Sequence, residues 1–233
     1  METPDQKYLI LGASRGGTTI LAAALGSHPS VAILDEEQTG ALNRLTGNKI
    51  AGVKLCVPNQ VELDRRWNPV FSPGLSCGFF RKSMFMSKMP KSRLSIRDYD
   101  AFGEIRHICI LRHPAGVIPS IVKRERRSSK VACYRWQRCI EVFADLDRDA
   151  RYDPIFISFE RLVSEPERTL RRLSEALGLE FSECMLGAPS NNVRYQSQGF
   201  DAAKAEYENA DQIWDQLPKE LKGLYTDLCE KSL

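Results

Sequence analysis

The run Tyr8-Leu9-Ile10-Leu11-Gly12-Ala13-Ser14-Arg15-Gly16-Gly17-Thr18-Thr19 constrains this chain more than any other stretch. Four apolar residues in succession read as a buried strand of a parallel sheet. A glycine-rich turn then leads into Thr18 to Gly26, where Ile20, Leu21, Ala24 and Leu25 fall on one face of a helix. Glycines let a backbone wrap closely around an anion, and a helix N-terminus points free N–H groups at it. Arg15 adds a planar positive fork suited to phosphate or sulfate, and the two threonines add hydroxyl donors. A plain strand-to-helix turn needs none of these. The spacing from Gly12 to Gly17 fits the nucleoside-triphosphate loop GxxxxGK[ST], but Thr18 stands at the lysine position. A clamp on β- and γ-phosphates is therefore not expected.

The pattern continues down the chain. Val31 to Leu34 reads as a second strand, ending in Asp35-Glu36-Glu37. Ile50 to Val57 is a third, stopped by Pro58. His107 to Leu111 is a fourth, with Arg112-His113-Pro114 at its exit, and Pro154 to Ser158 a fifth. Helices fill the intervals: Pro114 to Arg127, Cys133 to Arg148, and Glu165 to Leu177 with Gly178 as its C-terminal cap. Two more are expected within Ala202 to Leu217 and Pro218 to Leu228. Strand alternating with helix predicts an α/β fold, a three-layer sandwich around a central parallel sheet. The irregular segment from Gln60 to Arg93, rich in Pro, Ser, Gly, Met and Phe, reads as an insertion or flap over the site. Residues 182–233 read as a helical C-terminal part. With no repeat and no linker, residues 1–233 are expected to form one domain.

Composition narrows the function. Lys plus Arg number 33 against 30 Asp plus Glu, a net charge of +3. That is too mild for a general nucleic-acid binder, so positive charge must act locally. Seven scattered cysteines make no CxxC pair, which excludes zinc ribbons and thioredoxin-like motifs. No ligand cluster suggests a metal. Scattered thiols fit a reducing compartment, and Met1-Glu2-Thr3-Pro4-Asp5 is not the basic start of a signal peptide, so a cytoplasmic location is expected. The uncharged stretch from Gly16 to Leu34 carries Thr18, Thr19, Ser27, His28, Pro29 and Ser30, so no membrane span is expected.

A second anion element follows the fourth strand. Ser120 stands eight residues after Arg112 and precedes Lys123-Arg124-Glu125-Arg126-Arg127. An arginine at a strand's C-terminal end and a serine two turns into the next helix can meet one phosphate from two sides. Most of the basic run otherwise reads as a solvated face.

Together these residues resemble a known family. Arg15-Gly16-Gly17-Thr18-Thr19, with His28-Pro29 downstream, resembles the Arg-Ser-Gly-Thr-Thr loop of sulfotransferases that use 3′-phosphoadenosine 5′-phosphosulfate (PAPS), with Gly16 in place of the serine. Arg112-x7-Ser120 resembles their 3′-phosphate element, and Arg124 matches a further arginine of some members. Phe159-Glu160-Arg161-Leu162-Val163, Pro166, Leu170 and Leu177-Gly178-Leu179 resemble a third segment, with Phe159 where Tyr is frequent. The resemblance covers residues 7 to about 181. It implies a P-loop-like fold, Arg15, Gly16, Gly17, Thr18 and Thr19 on the 5′-phosphosulfate, and Arg112, Ser120 and Arg124 on the 3′-phosphate. The implied reaction carries a sulfuryl group from PAPS to an acceptor hydroxyl, leaving adenosine 3′,5′-bisphosphate (PAP). The acceptor stays open among glycan, lipid, peptide and small natural product.

The same resemblance points to the chemistry. Cytosolic members place a His base in Lys-Thr-His-Leu-Pro; here Lys54-Leu55-Cys56-Val57-Pro58 has Cys56 in its place. In tyrosylprotein members a carboxylate base follows the loop arginine by 21 residues, which from Arg15 reaches Glu36, with Glu37 its neighbour. A strand's carboxyl end suits such a base; the three acids also fit a helix N-cap and first turn. Two lysines compete to support the leaving phosphate: Lys54 at a strand end, and Lys88, 24 residues before Arg112. His28 and His113 read as structural. Two rival functions are a P-loop kinase, which Thr18 opposes, and a non-catalytic nucleotide-binding protein.

Overall fold

The computed structural model describes residues 6–35, 50–64, 94–187 and 199–233. In chain order the elements are β1 (Gln6–Ala13), α1 (Thr18–Gly26), β2 (Val31–Asp35), β3 (Ile50–Val57), the two-residue strands β4 (Val61–Glu62) and β5 (Leu94–Ser95), β6 (Ile105–Leu111), α2 (Pro114–Glu125), α3 (Ser129–Arg148) and β7 (Ile155–Ser158). They continue with α4 (Phe159–Ser164), α5 (Pro166–Ala176), α6 (Cys184–Gly187), α7 (Ala210–Asp215) and α8 (Lys219–Glu230). A 3-10 helix at Ile96–Phe102 precedes β6, and another at Ala202–Ala205 precedes α7.

Five strands form one parallel sheet in the order β2-β3-β1-β6-β7. Side chains alternate along each strand, so odd and even residues serve opposite faces. Leu9, Leu11, Val53, Leu55, Cys109 and Leu111 pack with Trp136 and Phe143 of α3 and Leu221 and Leu228 of α8. Tyr8, Ile10, Ile108, Ile110 and Ile157 pack with Leu21 and Leu25 of α1 and with Leu162, Leu170 and Leu173 of α4 and α5. Apolar burial on both faces is why the central strands read as unbroken hydrophobic runs. This is the expected three-layer α/β sandwich.

The departures are local. β6 starts two residues before the expected strand, and α3 starts at Ser129, where Ser128 accepts the Val131 N–H as an N-cap. The segment Phe159–Ser164 is a short helix, capped by Ser158, which accepts from the Arg161 N–H. Gly178 takes the left-handed conformation (φ 65°) that closes α5. Within Ala202 to Leu217 only the 3-10 helix and α7 form, so this stretch is less helical than expected. The base of the expected flap is closed: β4 and β5 pair in parallel, Val61 opposite Leu94. Residues 65–93 of that segment lie outside the described residues. No described helix is long and apolar enough to cross a membrane.

β1 is central, with the chain passing to β2 and β3 on one side and to β6 and β7 on the other. At such a switch point the loops leaving neighbouring strands part and open a crevice at their carboxyl ends. The glycine-rich turn, the exit of β3 and the exit of β6 all border that crevice.

Candidate active site

The turn after β1 is built by backbone conformation. Arg15 and Gly17 both take positive φ, 65° and 99°. The Gly16 N–H donates to the Ala13 carbonyl at 2.8 Å, which closes the turn. Gly17 is the N-cap of α1 and makes no side-chain capping bond, so no cap side chain takes up the helix's first N–H groups, which a ligand could use. A side chain at Gly17 is excluded twice: the left-handed φ disfavours it, and its Cβ would stand 2.3 Å from the Phe159 ring. Thr18 is buried and Thr19 half-buried at the first turn.

The second element is built from side chains. Arg112 leaves β6 with its carbonyl accepting from Trp136 Nε1 at 3.0 Å, which ties its backbone to α3. Its guanidinium carbon lies 4.0 Å from the centre of the Phe159 ring, close enough for a cation–π contact. The phenyl at position 159 thus serves through its face. Nη1 of Arg112 donates to the Arg15 carbonyl at 2.9 Å. Arg15 Nε in turn donates to Ser120 Oγ at 3.4 Å, a long contact at the edge of hydrogen-bonding range. Ser14 Oγ donates to Glu125 at the end of α2, and Arg135 of α3 donates to the other oxygen of that carboxylate at 2.5 Å. The two anion elements, separate in sequence, therefore form one connected unit.

Arg124 is exposed on α2, one turn beyond Ser120. Lys54 lies on β3 opposite Ile10 of β1 and Asp35 of β2, on the sheet face that carries α1. It is 1% exposed, so it is not a surface lysine. Cys56 stands at the exit of β3 opposite Gly12, and its N–H donates to Gln60 Oε1 at 2.6 Å. Glu36, Glu37 and Lys88 lie outside the described residues. Glu36 directly follows the last residue of β2 in the chain.

Both histidines beside the anion elements hold the backbone. His28 accepts the Ser30 N–H at Nδ1 and, as the matching tautomer, donates from Nε2 to the Glu180 carbonyl at 3.0 Å. His113 accepts the Ala115 N–H at the start of α2 and stacks between Tyr207 and Trp214. Burial pushes its pKa below the usual range, which keeps the ring neutral.

Sequence reading missed three contributors. Glu125 lies within a basic run, which gives it no signal of its own, although it meets the turn after β1. Glu160 was seen only as part of a matched segment. Tyr207 was not singled out at all, yet its hydroxyl reaches both Arg112 and Glu160, at 3.2 and 2.7 Å. A lone tyrosine in an unmatched stretch gives no sequence signal for such a role.

The profile of the Sulfotransferase family matches residues 8–183, and the chain belongs to that family. Its fold is similar to the sulfotransferase domain of the Synechococcus PCC 7002 olefin synthase, with TM-score 0.57 and 19% identity over 99% of this chain and 95% of that one. The sulfotransferase domain of the curacin biosynthetic pathway aligns with TM-score 0.56 and 16% identity, over 99% and 98% of the two chains. Mouse sulfotransferase SULT7A1, solved in complex with PAP, aligns with TM-score 0.50 and 10% identity over 99% and 86%. No curated protein matches the sequence at a significant level. The chain is thus a sulfotransferase by family, with the fold of that family.

Proposed function

We propose that this sulfotransferase takes its sulfuryl group from PAPS and passes it to the hydroxyl of an acceptor, with residues 1–233 working as one domain. The observation that carries the reading is the junction of the two anion elements: Arg112 bonds the Arg15 carbonyl, and Arg15 reaches Ser120. A nucleotide with phosphates at both its 5′ and 3′ positions suits two cationic elements joined in this way. The fit extends to unspent donors. The N-terminus of α1 has no side-chain cap. A guanidinium carries five N–H groups, and Arg112 spends one from each nitrogen on the described residues, which leaves one on each terminal nitrogen without a partner among them.

In this reading Arg15, Gly16, Gly17, Thr18 and Thr19 hold the 5′-phosphosulfate, and Arg112, Ser120 and Arg124 the 3′-phosphate. PAPS supplies a sulfuryl group already activated by its bond to phosphate, and PAP is the product. Glu36, the next residue in the chain after β2, takes the acceptor's proton, with Glu37 the alternative. Lys54 or Lys88 sets positive charge beside the leaving phosphate. Lys54 is favoured by its buried place on β3, three residues before the strand's last residue, Val57.

The test is calorimetry with PAP and adenosine 5′-monophosphate (AMP), followed by incubation with PAPS and a panel of hydroxyl acceptors. PAP binding tightly, AMP binding weakly and PAP released with a sulfated product is the expected outcome. Equal affinity for PAP and AMP would remove the 3′-phosphate assignment. PAPS binding with no turnover on any acceptor would favour the non-catalytic rival.

A further inference from the structure

Arg112 is aimed from a part of the chain that no sequence motif reaches. The 3-10 helix Ala202–Ala205 and the residues after it pass beside the exit of β6. There the Lys204 carbonyl accepts from Arg112 Nη2 at 3.3 Å, and Tyr207 Oη accepts from Arg112 Nε at 3.2 Å. The Tyr207 hydroxyl donates its own proton to Glu160 Oε1 at 2.7 Å. Glu160 is held by two other donors, the His113 N–H at 2.9 Å and Ser158 Oγ at 3.1 Å. The polarity is therefore fixed. A carboxylate accepts only, so Tyr207 must donate to it, and this leaves the phenol's lone pairs facing Arg112. Burial and the neighbouring carboxylate push the Tyr207 pKa well above the ordinary phenol value, so the hydroxyl keeps the proton it donates.

The backbone is shaped around this contact. Gly116 of α2 lies beneath it, and a Cβ there would come within 2.5 Å of the Tyr207 ring and 2.7 Å of Arg112 Nε. The Tyr207 ring also stacks on His113, with centroids 5.5 Å apart. The contact is thus supported from α2, α4 and the β6 exit together.

We propose that Tyr207, oriented by Glu160, is a positioning residue for recognition of the nucleotide's 3′-phosphate. It holds Arg112 by Nε and turns the two unspent terminal N–H groups of the fork toward the anion. Tyr207 itself need not touch the nucleotide. The inference rests on the reading of Arg112 as a 3′-phosphate ligand, and the test separates the two.

Calorimetry with PAP and with AMP on the wild type, Tyr207→Phe and Glu160→Gln provides it, alongside thermal melts. Tyr207→Phe keeps the ring on His113 and removes only the hydroxyl. Its expected effect is a loss of about tenfold in PAP affinity with AMP affinity changed by less than about twofold, so the preference for PAP shrinks. Glu160→Gln keeps an acceptor for the His113 N–H but weakens the bond from Tyr207, and a smaller loss of about threefold is expected, again for PAP alone. It also carries the test if Tyr207→Phe does not fold. A wild type that prefers PAP, with that preference unchanged in both variants, overturns the positioning role and leaves Arg112 as a ligand. Equal loss for PAP and AMP makes Tyr207 merely structural and overturns it as well. A wild type that binds PAP and AMP equally overturns the Arg112 reading and this inference with it.

Discussion

The two candidate anion elements sit side by side but are made differently. The turn after β1 is a backbone device: positive φ at Arg15 and Gly17 and an uncapped helix start. The fork after β6 is a side-chain device. Arg112 is held by the Arg15 carbonyl, the Lys204 carbonyl, Tyr207 and the face of Phe159, so its supports come from positions 15 to 207. A backbone site carries its geometry in consecutive residues. A long, charged side chain has many rotamers, and freezing it in one costs conformational entropy that must be offset by partners drawn from elsewhere in the fold.

The proposed base Glu36 gives the largest expected effect and would separate both candidate binding devices from the chemistry. Glu36→Gln keeps shape and hydrogen bonding but cannot accept the acceptor's proton at neutral pH. Turnover should fall by about a hundred- to ten-thousand-fold with PAP affinity unchanged. Glu37→Gln should be mild, and a dead Glu37→Gln with an active Glu36→Gln would move the role by one residue. Two active variants would end the carboxylate-base mechanism. Next in size is Gly17→Ala, which attacks the backbone device. Its Cβ would be driven into Phe159, and the φ of 99° opposes any side chain. PAP and AMP should lose affinity together, by about a hundredfold, because both carry a 5′-phosphate. Loss confined to PAP would break the division between the two elements.

Arg112→Ala attacks the other device. Removing charge-assisted bonds to one phosphate should cost about 1.5–3 kcal/mol in PAP binding, while AMP, which has no 3′-phosphate, should bind nearly as before. If the variant unfolds, or binds PAP normally, Arg112 is a structural residue and the comparison fails on its side-chain half.

The contrast also explains what could be read in advance. The glycine-rich turn was legible because every determinant lies within Gly12 to Thr19, and the parallel sheet because strands buried on both faces carry consecutive apolar residues, as from Tyr8 to Leu11 and from Ile108 to Leu111. Arg112 and Ser120 stand out in the sequence through their spacing across a strand exit and a helix, and each of them meets Arg15 in the fold. Glu125, Glu160 and Tyr207 were not, since each acts through a contact between elements: Ser14 with Glu125 spans 111 positions and Tyr207 with Arg112 spans 95. Periodicity describes an element's own face and is silent on which distant polar group meets it. The short helix at Phe159–Ser164 was hidden for a related reason. Its six residues are too few to show a helical period, and it is held by the Ser158 cap and by burial of Phe159, Leu162 and Val163.

The smallest effect concerns a third kind of buried polar group, on the same strand as Arg112. His107 of β6 is fully buried, both its ring nitrogens lack a hydrogen-bond partner among the described residues, and it meets the Tyr152 ring edge-on at 5.0 Å. Burial lowers its pKa to about 4 from an ordinary 6.5. Between those values the unfolded chain binds the proton and the folded chain does not, so stability is lost as pH falls from 6.5 toward 4. From pH 7.5 to 5.5 this one group should cost about 1 kcal/mol, or a fall of about 2–4 °C in melting temperature for a chain of this size. His107→Leu keeps a similar volume and leaves no buried nitrogen unpaired, so it should be neutral or stabilising at pH 7.5. The variant's advantage over the wild type should then grow at pH 5.5 by that same amount. Other titrating groups act in both proteins and cancel in the difference. An advantage that does not change with pH would mean that His107 takes up its proton as readily in the fold as in the unfolded chain, and that burial does not lower its pKa.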